Sequence, residues 1–274
     1  MAFGWINPND YSFNSFLLLE RFQIFLMFSS YGWSNDENKS IWKYRMGVAL
    51  NANPAVKWYF QQRCPECFDI IEEISSTTPS PIDEAEIRES EIYVLLSVED
   101  FTIYTTPEFM GSNCDFIRGW NSERLYDLVD LTDKTVLDVG SGSGRLAFAA
   151  AKKASWVYAS EPVGTLREFM RDKINLEKII NVRVMDGFIT ALPFPDNTFD
   201  VVMCGHVIGD DYDSEIKELT RVCKPGGYLI NCPGDSERDM KPNTELTSRG
   251  WEEFHYLGSF SKEVYTHRKL ITKI

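Results

Sequence analysis

The chain has only three histidines, no second pair of closely spaced cysteines and no apolar run long enough to cross a bilayer. Each shortage excludes something. A structural zinc site wants four ligands, whereas "RCPEC" (Arg63 to Cys67) offers two, Cys114 stands alone, and His255 and His267 come late in the chain. The sequence therefore predicts no metal site and reads Cys64 and Cys67 as reduced thiols on a helix. Six cysteines in 274 residues do not form a disulfide scaffold, which points to the reducing cytoplasm. The segment Phe16 to Phe28, "FLLLERFQIFLMF", is too short for a membrane span and carries Glu20, Arg21 and Gln23. It also lacks the basic start and small-residue cleavage site of a secretory leader, and reads as an amphipathic helix packed on the main domain. Basic residues are scarce too. With 28 Lys and Arg against 41 Asp and Glu, the net charge of −13 disfavours a nucleic-acid partner and leaves a small molecule as the default.

What is present is enough to fold. A composition 43% hydrophobic and 14% aromatic can bury a sizeable core. From about Thr135 the pattern alternates apolar strands with amphipathic helices, the mark of βαβ units and a parallel sheet covered on both faces. Strands are expected at "TVLDVG", "WVYASEP", "VRVMDG", "FDVVMCGHV" and "YLINCPG". Between the last two, a helix carries Ile216, Leu219 and Cys223 on one face and stops at "KPGG". "WEEFHYLGSF" and "EVYTHRKLITKI" read as an antiparallel pair on the sheet edge. Upstream, "IDEAEIRESEIYVLLS" is helix-prone, "FTIYTT" alternates like a half-buried strand, "SSTTPSP" reads as a linker, and Asn121 is placed to cap a helix over "NSERLYDLVDL". The fold class is α/β: a Rossmann-like doubly wound sheet, mostly parallel with an antiparallel C-terminal edge strand, plus a mainly helical N-terminal extension.

"VLDVGSGSGRL" (Val136 to Leu146) puts three glycines at alternate positions directly after a strand. A strand, a glycine turn and a helix together bring backbone N–H groups against a ligand with no side chains in the way. Dinucleotides and S-adenosylmethionine compete for such a turn. The dinucleotide fingerprint G-x-G-x-x-G needs a glycine at 145, where this chain has Arg145; the spacing here is G-x-G-x-G.

On these residues the sequence resembles the class I S-adenosylmethionine-dependent methyltransferases, in the broad small-molecule group that includes the ubiquinone and menaquinone ring methylases. The resemblance covers about Asn121 to Thr272 and rests on "VLDVGSGSG", "ASEPV", "VMDG", "ALPFPDNTFDVVMCGHVIGD" and "RVCKPGGYLI". It implies that Asp138, Gly140, Ser141, Gly142 and Gly144 hold the methionine end of the cofactor. By the same resemblance Glu161, with Pro162, takes the ribose hydroxyls, Asp186, with Gly187, takes the adenine amino group, and Gly205 lies against the cofactor. Carboxylates at successive carboxyl ends of parallel strands line one crevice, so the physical reading agrees.

Methyl transfer from a sulfonium needs alignment more than a catalytic triad, and a hydroxyl or acidic-carbon acceptor adds a need for a base. His206 in "CGHVIGDD" is the candidate base; packing over the cofactor is the other role open to it. Asp210 and Asp211 read as helix-leading or solvated acids, and Cys204 as a small buried residue. The division expected is residues 1–120 as a helical region covering the active site and 121–274 as the cofactor-binding domain. Tyr104, Phe109 and Trp120 are either walls of that cover or ordinary core. A methyltransferase acting on a small molecule is the expected function, with a non-catalytic S-adenosylmethionine-binding module and an NAD-dependent oxidoreductase as alternatives.

Overall fold

A computed structural model describes residues 4–29, 36–79 and 83–273. The chain divides into two compact units, Met1–Pro107 and Glu108–Ile274.

The first unit is helical: α1 (Arg21–Ser29), α2 (Asp36–Ala52), α3 (Pro54–Arg63), α4 (Phe68–Thr77), α5 (Glu84–Ser97) and α6 (Glu99–Tyr104), with short 3-10 turns at Phe13–Leu18 and Pro65–Cys67. Its core is aromatic. Phe28 meets Trp42 edge-on with ring centres 5.8 Å apart and Phe60 at the same distance, and Phe16 lies 6.1 Å from Phe60. Three expectations change here. The single helix expected over Phe16 to Phe28 is two pieces, because Leu19 is extended and Gln23 Oε1 accepts the Glu20 N–H, capping a fresh start at Arg21. Both pieces pack on α3, within this unit. "FTIYTT" is helical rather than a strand: Phe101, Thr102 and Ile103 are all buried, and the Thr102 hydroxyl donates to Leu95 O and Val98 O. Six residues of alternation are too few to separate the two periods. The start of "SSTTPSP" completes α4; residues 80–82 lie outside the described residues. Cys64 ends α3, and its Sγ is 3.3 Å from Sγ of Cys67 on the following 3-10 turn.

The second unit is the expected α/β sheet. After α7 (Pro107–Asn113) and α8 (Glu123–Leu128) come β1 (Thr135–Val139), α9 (Arg145–Ala151), β2 (Trp156–Ser160), α10 (Gly164–Glu177), β3 (Val182–Met185), β4 (Phe199–Cys204), α11 (Tyr212–Val222), β5 (Cys223–Asn231), α12 (Thr244–Ser248), β6 (Glu252–Leu257) and β7 (Glu263–Leu270). The order across the sheet is β3-β2-β1-β4-β5-β7-β6. Strands β1 to β5 are parallel; β7 runs antiparallel to β5, and β6 closes the edge as its hairpin partner. Alternation along β1 sends Val136 into one buried cluster with Leu146, Val157 and Met170, and Leu137 into another with Phe199, Val202 and Leu219, so both faces are covered. The N-cap of α8 is Ser122 rather than the expected Asn121, which sits one residue earlier and accepts the Glu123 N–H through its Oδ1. "KPGG" does not stop α11, which ends at Val222. It bulges out of β5, where pairing jumps from Phe199–Cys223 to Val201–Tyr228. Among the described residues no helix is long and apolar enough to cross a membrane.

Candidate active site

The strand order reverses between β1 and β4, and the crevice beyond their carboxyl ends is where such sheets take ligands. The loop 140–144 lies there, folded back on β2: the N–H groups of Gly140 and Ser141 both donate to Ser160 O, at 2.8 and 3.1 Å. Gly140, Gly142 and Gly144 all have positive φ, at 64°, 58° and 90°. Their missing side chains serve different ends. A Cβ on Gly140 would meet Val207 Cγ2 at 2.5 Å, and one on Gly144 would meet Phe148 Cε2 at 2.3 Å. A Cβ on Gly142 would meet nothing nearer than Met110 Cε at 3.8 Å. Two of the glycines admit the chain itself, and the middle one has room for a Cβ, in ordinary contact with Met110.

Glu161, at the end of β2 and 4% exposed, ties this loop down. Its Oε2 accepts the Gly142 N–H at 2.8 Å and its Oε1 the Val163 N–H at 2.9 Å. Burial raises its pKa to about 7, against the pull of those two N–H groups. Asp138, 1% exposed on β1, accepts the Ala147 N–H at 2.9 Å and so locks α9 to the strand. Burial raises this carboxyl to about 7 as well, opposed first by Arg145. Asp186 follows β3 with its side chain 76% exposed, 3.4 Å from Nη1 of Arg167. That same nitrogen donates to Glu161 O and Pro162 O, at 2.7 and 2.6 Å. Arg167, one turn into α10, thus joins the ends of β2 and β3; sequence reading passed over it. Beside it Gly187 allows close packing, since a Cβ there would meet Ser160 Oγ at 2.3 Å, and that buried hydroxyl has no hydrogen-bond partner.

His206 follows β4 in a left-handed conformation, φ 62°, one residue beyond Gly205. Its ring reaches solvent and lies against Phe116, centres 4.8 Å apart. Desolvation by the neighbouring protein, then the charge of Arg145, lower its pKa, with Asp115 and the Pro233 carbonyl pulling the other way. The imidazole is neutral at pH 7. Segment 114–119 is anchored beside it, Asp115 Oδ2 accepting the Ser236 hydroxyl and the Glu237 N–H. Trp120 covers Arg145 with its ring face at 4.4 Å and packs on the sheet core, and Phe109 is exposed. Asp211 caps α11 through the Ser214 N–H, and Cys204 is buried.

The site groups the sequence singled out therefore gather at one end of one sheet. A buried carboxylate after β2, an unpartnered Ser160 hydroxyl and an exposed acid after β3 suit a ligand with a diol and an amino-bearing ring.

Residues 137–231 match the family described as a methyltransferase domain. Among curated proteins, the demethylmenaquinone methyltransferase of Geobacillus sp. (strain WCH70) is 30% identical over 135 residues, 47% of this chain and 58% of that protein. The ubiquinone/menaquinone biosynthesis C-methyltransferase of Rickettsia bellii (strain OSU 85-389) is 33% identical over 122 residues, 41% of this chain and 49% of that one. The chain spans about half the length of the curated relatives it matches. A solved structure of a SAM-dependent methyltransferase from Aquifex aeolicus is 23% identical and covers 61% of this chain and 98% of its own, with a TM-score of 0.49.

Proposed function

We propose that this protein transfers a methyl group from S-adenosylmethionine to a small-molecule acceptor, a reading supported by the methyltransferase-domain match of residues 137–231. The observation that carries the reading is the bond between Gly142, the uncrowded loop glycine, and Glu161, with Asp186 at the next strand end. Glu161 accepts from the ribose hydroxyls, Asp186 from the adenine amino group, and the loop around Gly142 lies along the methionine part. When bound, the cofactor supplies a sulfonium methyl for displacement by the acceptor.

The chain's own part is to align the acceptor and take its proton. In this reading His206, exposed and stacked beside Phe116, is the base that accepts a proton from a hydroxyl or acidic carbon. The names of the quinone-biosynthesis relatives support a planar ring as the acceptor. The net charge of −13 supports a small molecule over nucleic acid, and with buried thiols throughout it supports a cytoplasmic setting. Neither the NAD-dependent nor the non-catalytic alternative draws support from the relatives.

The test is a thermal-shift comparison with S-adenosylmethionine, S-adenosylhomocysteine, NAD and NADP. A ligand at 100 times its Kd adds about 2.7 kcal/mol of stability. Stabilisation by the first two alone is expected; stabilisation by a dinucleotide alone overturns the reading.

A further inference from the structure

Glu99 and Glu215 share one device: each is buried and collects three successive main-chain N–H groups on a single carboxylate. Glu99, 1% exposed in the first unit, accepts from Gly4, Trp5 and Ile6. Glu215, 2% exposed in the first turns of α11, accepts from Gly209 at 2.9 Å, Asp210 at 3.2 Å and Asp211 at 3.1 Å. Capping the helix asks for less, because Asp211 is the N-cap of α11 and its Oδ1 already accepts the Ser214 N–H at 3.2 Å. The three N–H groups belong instead to the far end of the loop that leaves β4. That loop starts at Gly205, where a Cβ would meet Cys232 O at 2.6 Å, and turns through the left-handed His206. Val207 then takes up the space beside the glycine turn, since a Cβ on Gly140 would meet its Cγ2 at 2.5 Å. Val207, Ile208 and Tyr212 pack on the same buried cluster. The loop is thus fixed at its start by β4, in its middle by Val207 against Gly140, and at its end by Glu215.

We propose that Glu215 is a positioning residue for the cofactor turn: by holding residues 209–211 it seats Val207 against Gly140, and so sets the backbone of the loop that Glu161 holds at Gly142. The proposal rests on the reading of loop 140–144 as the S-adenosylmethionine site. A carboxylate suits the task, because both oxygens accept and neither donates, and the start of α11 favours negative charge. A glutamine keeps the length but turns one acceptor into an N–H donor facing another donor. Gly209 and Asp210 are exposed loop residues outside any helix or strand, so the carboxylate is what gives their backbone one shape.

The experiment is amide hydrogen exchange of the full chain, followed by mass spectrometry, with S-adenosylhomocysteine affinity measured by calorimetry on the same samples. The amides of Gly140, Ser141, Gly142 and Gly144 are all hydrogen-bonded, so their exchange reports on the turn. Glu215→Gln is expected to speed exchange about tenfold both in residues 205–211 and in 140–144, and to weaken S-adenosylhomocysteine about tenfold. Val207→Ala, which removes the contact itself, is expected to speed exchange in 140–144 while residues 209–211 stay protected. Glu99→Gln is the matched control, since it breaks an equal clamp on a segment of the first unit, and it is expected to leave both stretches within about twofold of wild type. Faster exchange confined to 205–211 in Glu215→Gln overturns the proposal, because Glu215 then only finishes α11. An equal effect of Glu99→Gln on 140–144 overturns it too, tracing the change to global stability, as does unaltered exchange at 140–144 in Val207→Ala. If Glu215→Gln does not fold, Glu215→Asp, one methylene shorter, is read in the same way. A wild type that ignores S-adenosylhomocysteine defeats the cofactor reading, while the exchange data still decide the coupling of Glu215 to the turn.

Discussion

The main-chain N–H of Gly142 donates to Oε2 of Glu161 at 2.8 Å, joining the middle loop glycine to a carboxylate that is 4% exposed. The loop and the end of β2 are therefore one unit, and whatever changes the charge of Glu161 is felt at the loop.

Burial holds the Glu161 pKa up to about 7. Hydroxyl donors of a bound ribose favour the ionised carboxylate, so S-adenosylmethionine binding should strengthen as pH rises to about 7 and level off above it. Below that point the slope is at most tenfold per pH unit. Glu161→Gln should flatten the profile and weaken binding at pH 8 by about 1–3 kcal/mol. Calorimetry between pH 5.5 and 8.5 checks both, and a wild-type profile as flat as the variant's removes Glu161 from the cofactor site.

The same raised values fix the direction of stability with pH. Asp138 and Glu161 each bind a proton more tightly folded than unfolded, where carboxyls titrate near 4. Their contribution is complete below that value and is lost as pH rises to about 7, because between the two values only the folded state still holds the protons, and above about 7 both states have released them. The melting temperature should fall between about pH 4 and 7 and level off above, and Asp138→Asn should remove part of that slope. An unaltered slope in Asp138→Asn would assign the effect elsewhere.

The three loop glycines should separate by role. Gly142→Ala meets only the penalty of a left-handed backbone, about 1–2 kcal/mol. Gly140→Ala and Gly144→Ala add clashes with Val207 and Phe148, and should destabilise more. Denaturant melts give the ranking, and binding measurements on Gly142→Ala show whether a methyl group there obstructs the ligand. A Gly142→Ala protein as unstable as the other two contradicts the distinction.

The sheet was legible because its signals are local and periodic: Val136 and Leu137 point to opposite faces, and Asp138, Glu161 and Asp186 close successive strands. What escaped depends on groups distant in sequence. Nothing near Gly140 announces that Val207 fills its vacancy, and Arg145 shows its use only when Cys232, Pro233, Gly205 and Gly234 are brought around it. Arg167 left a faint signal, a basic residue six positions after the acid it supports. The misreading of "FTIYTT" has another cause, since a short buried helix and a short alternating strand share the same pattern of apolar residues.

Asp186 and Arg167 should divide binding from stability. The Asp186 side chain is 76% exposed, so its ion pair with Arg167 contributes at most about 1 kcal/mol. Asp186→Ala should leave the melting temperature nearly unchanged yet weaken S-adenosylmethionine binding by about 1–3 kcal/mol, the cost of one lost acceptor for the adenine amino group. Arg167 is half-buried in its role, its Nη1 donating to both Glu161 O and Pro162 O. Arg167→Ala removes two charged hydrogen bonds and frees two carbonyls, so it should lower stability by about 1.5–3 kcal/mol and weaken cofactor binding as well. Paired melts and calorimetry on the two variants make the comparison. Unchanged affinity in Asp186→Ala would falsify its place at the adenine edge, whatever the result for Arg167.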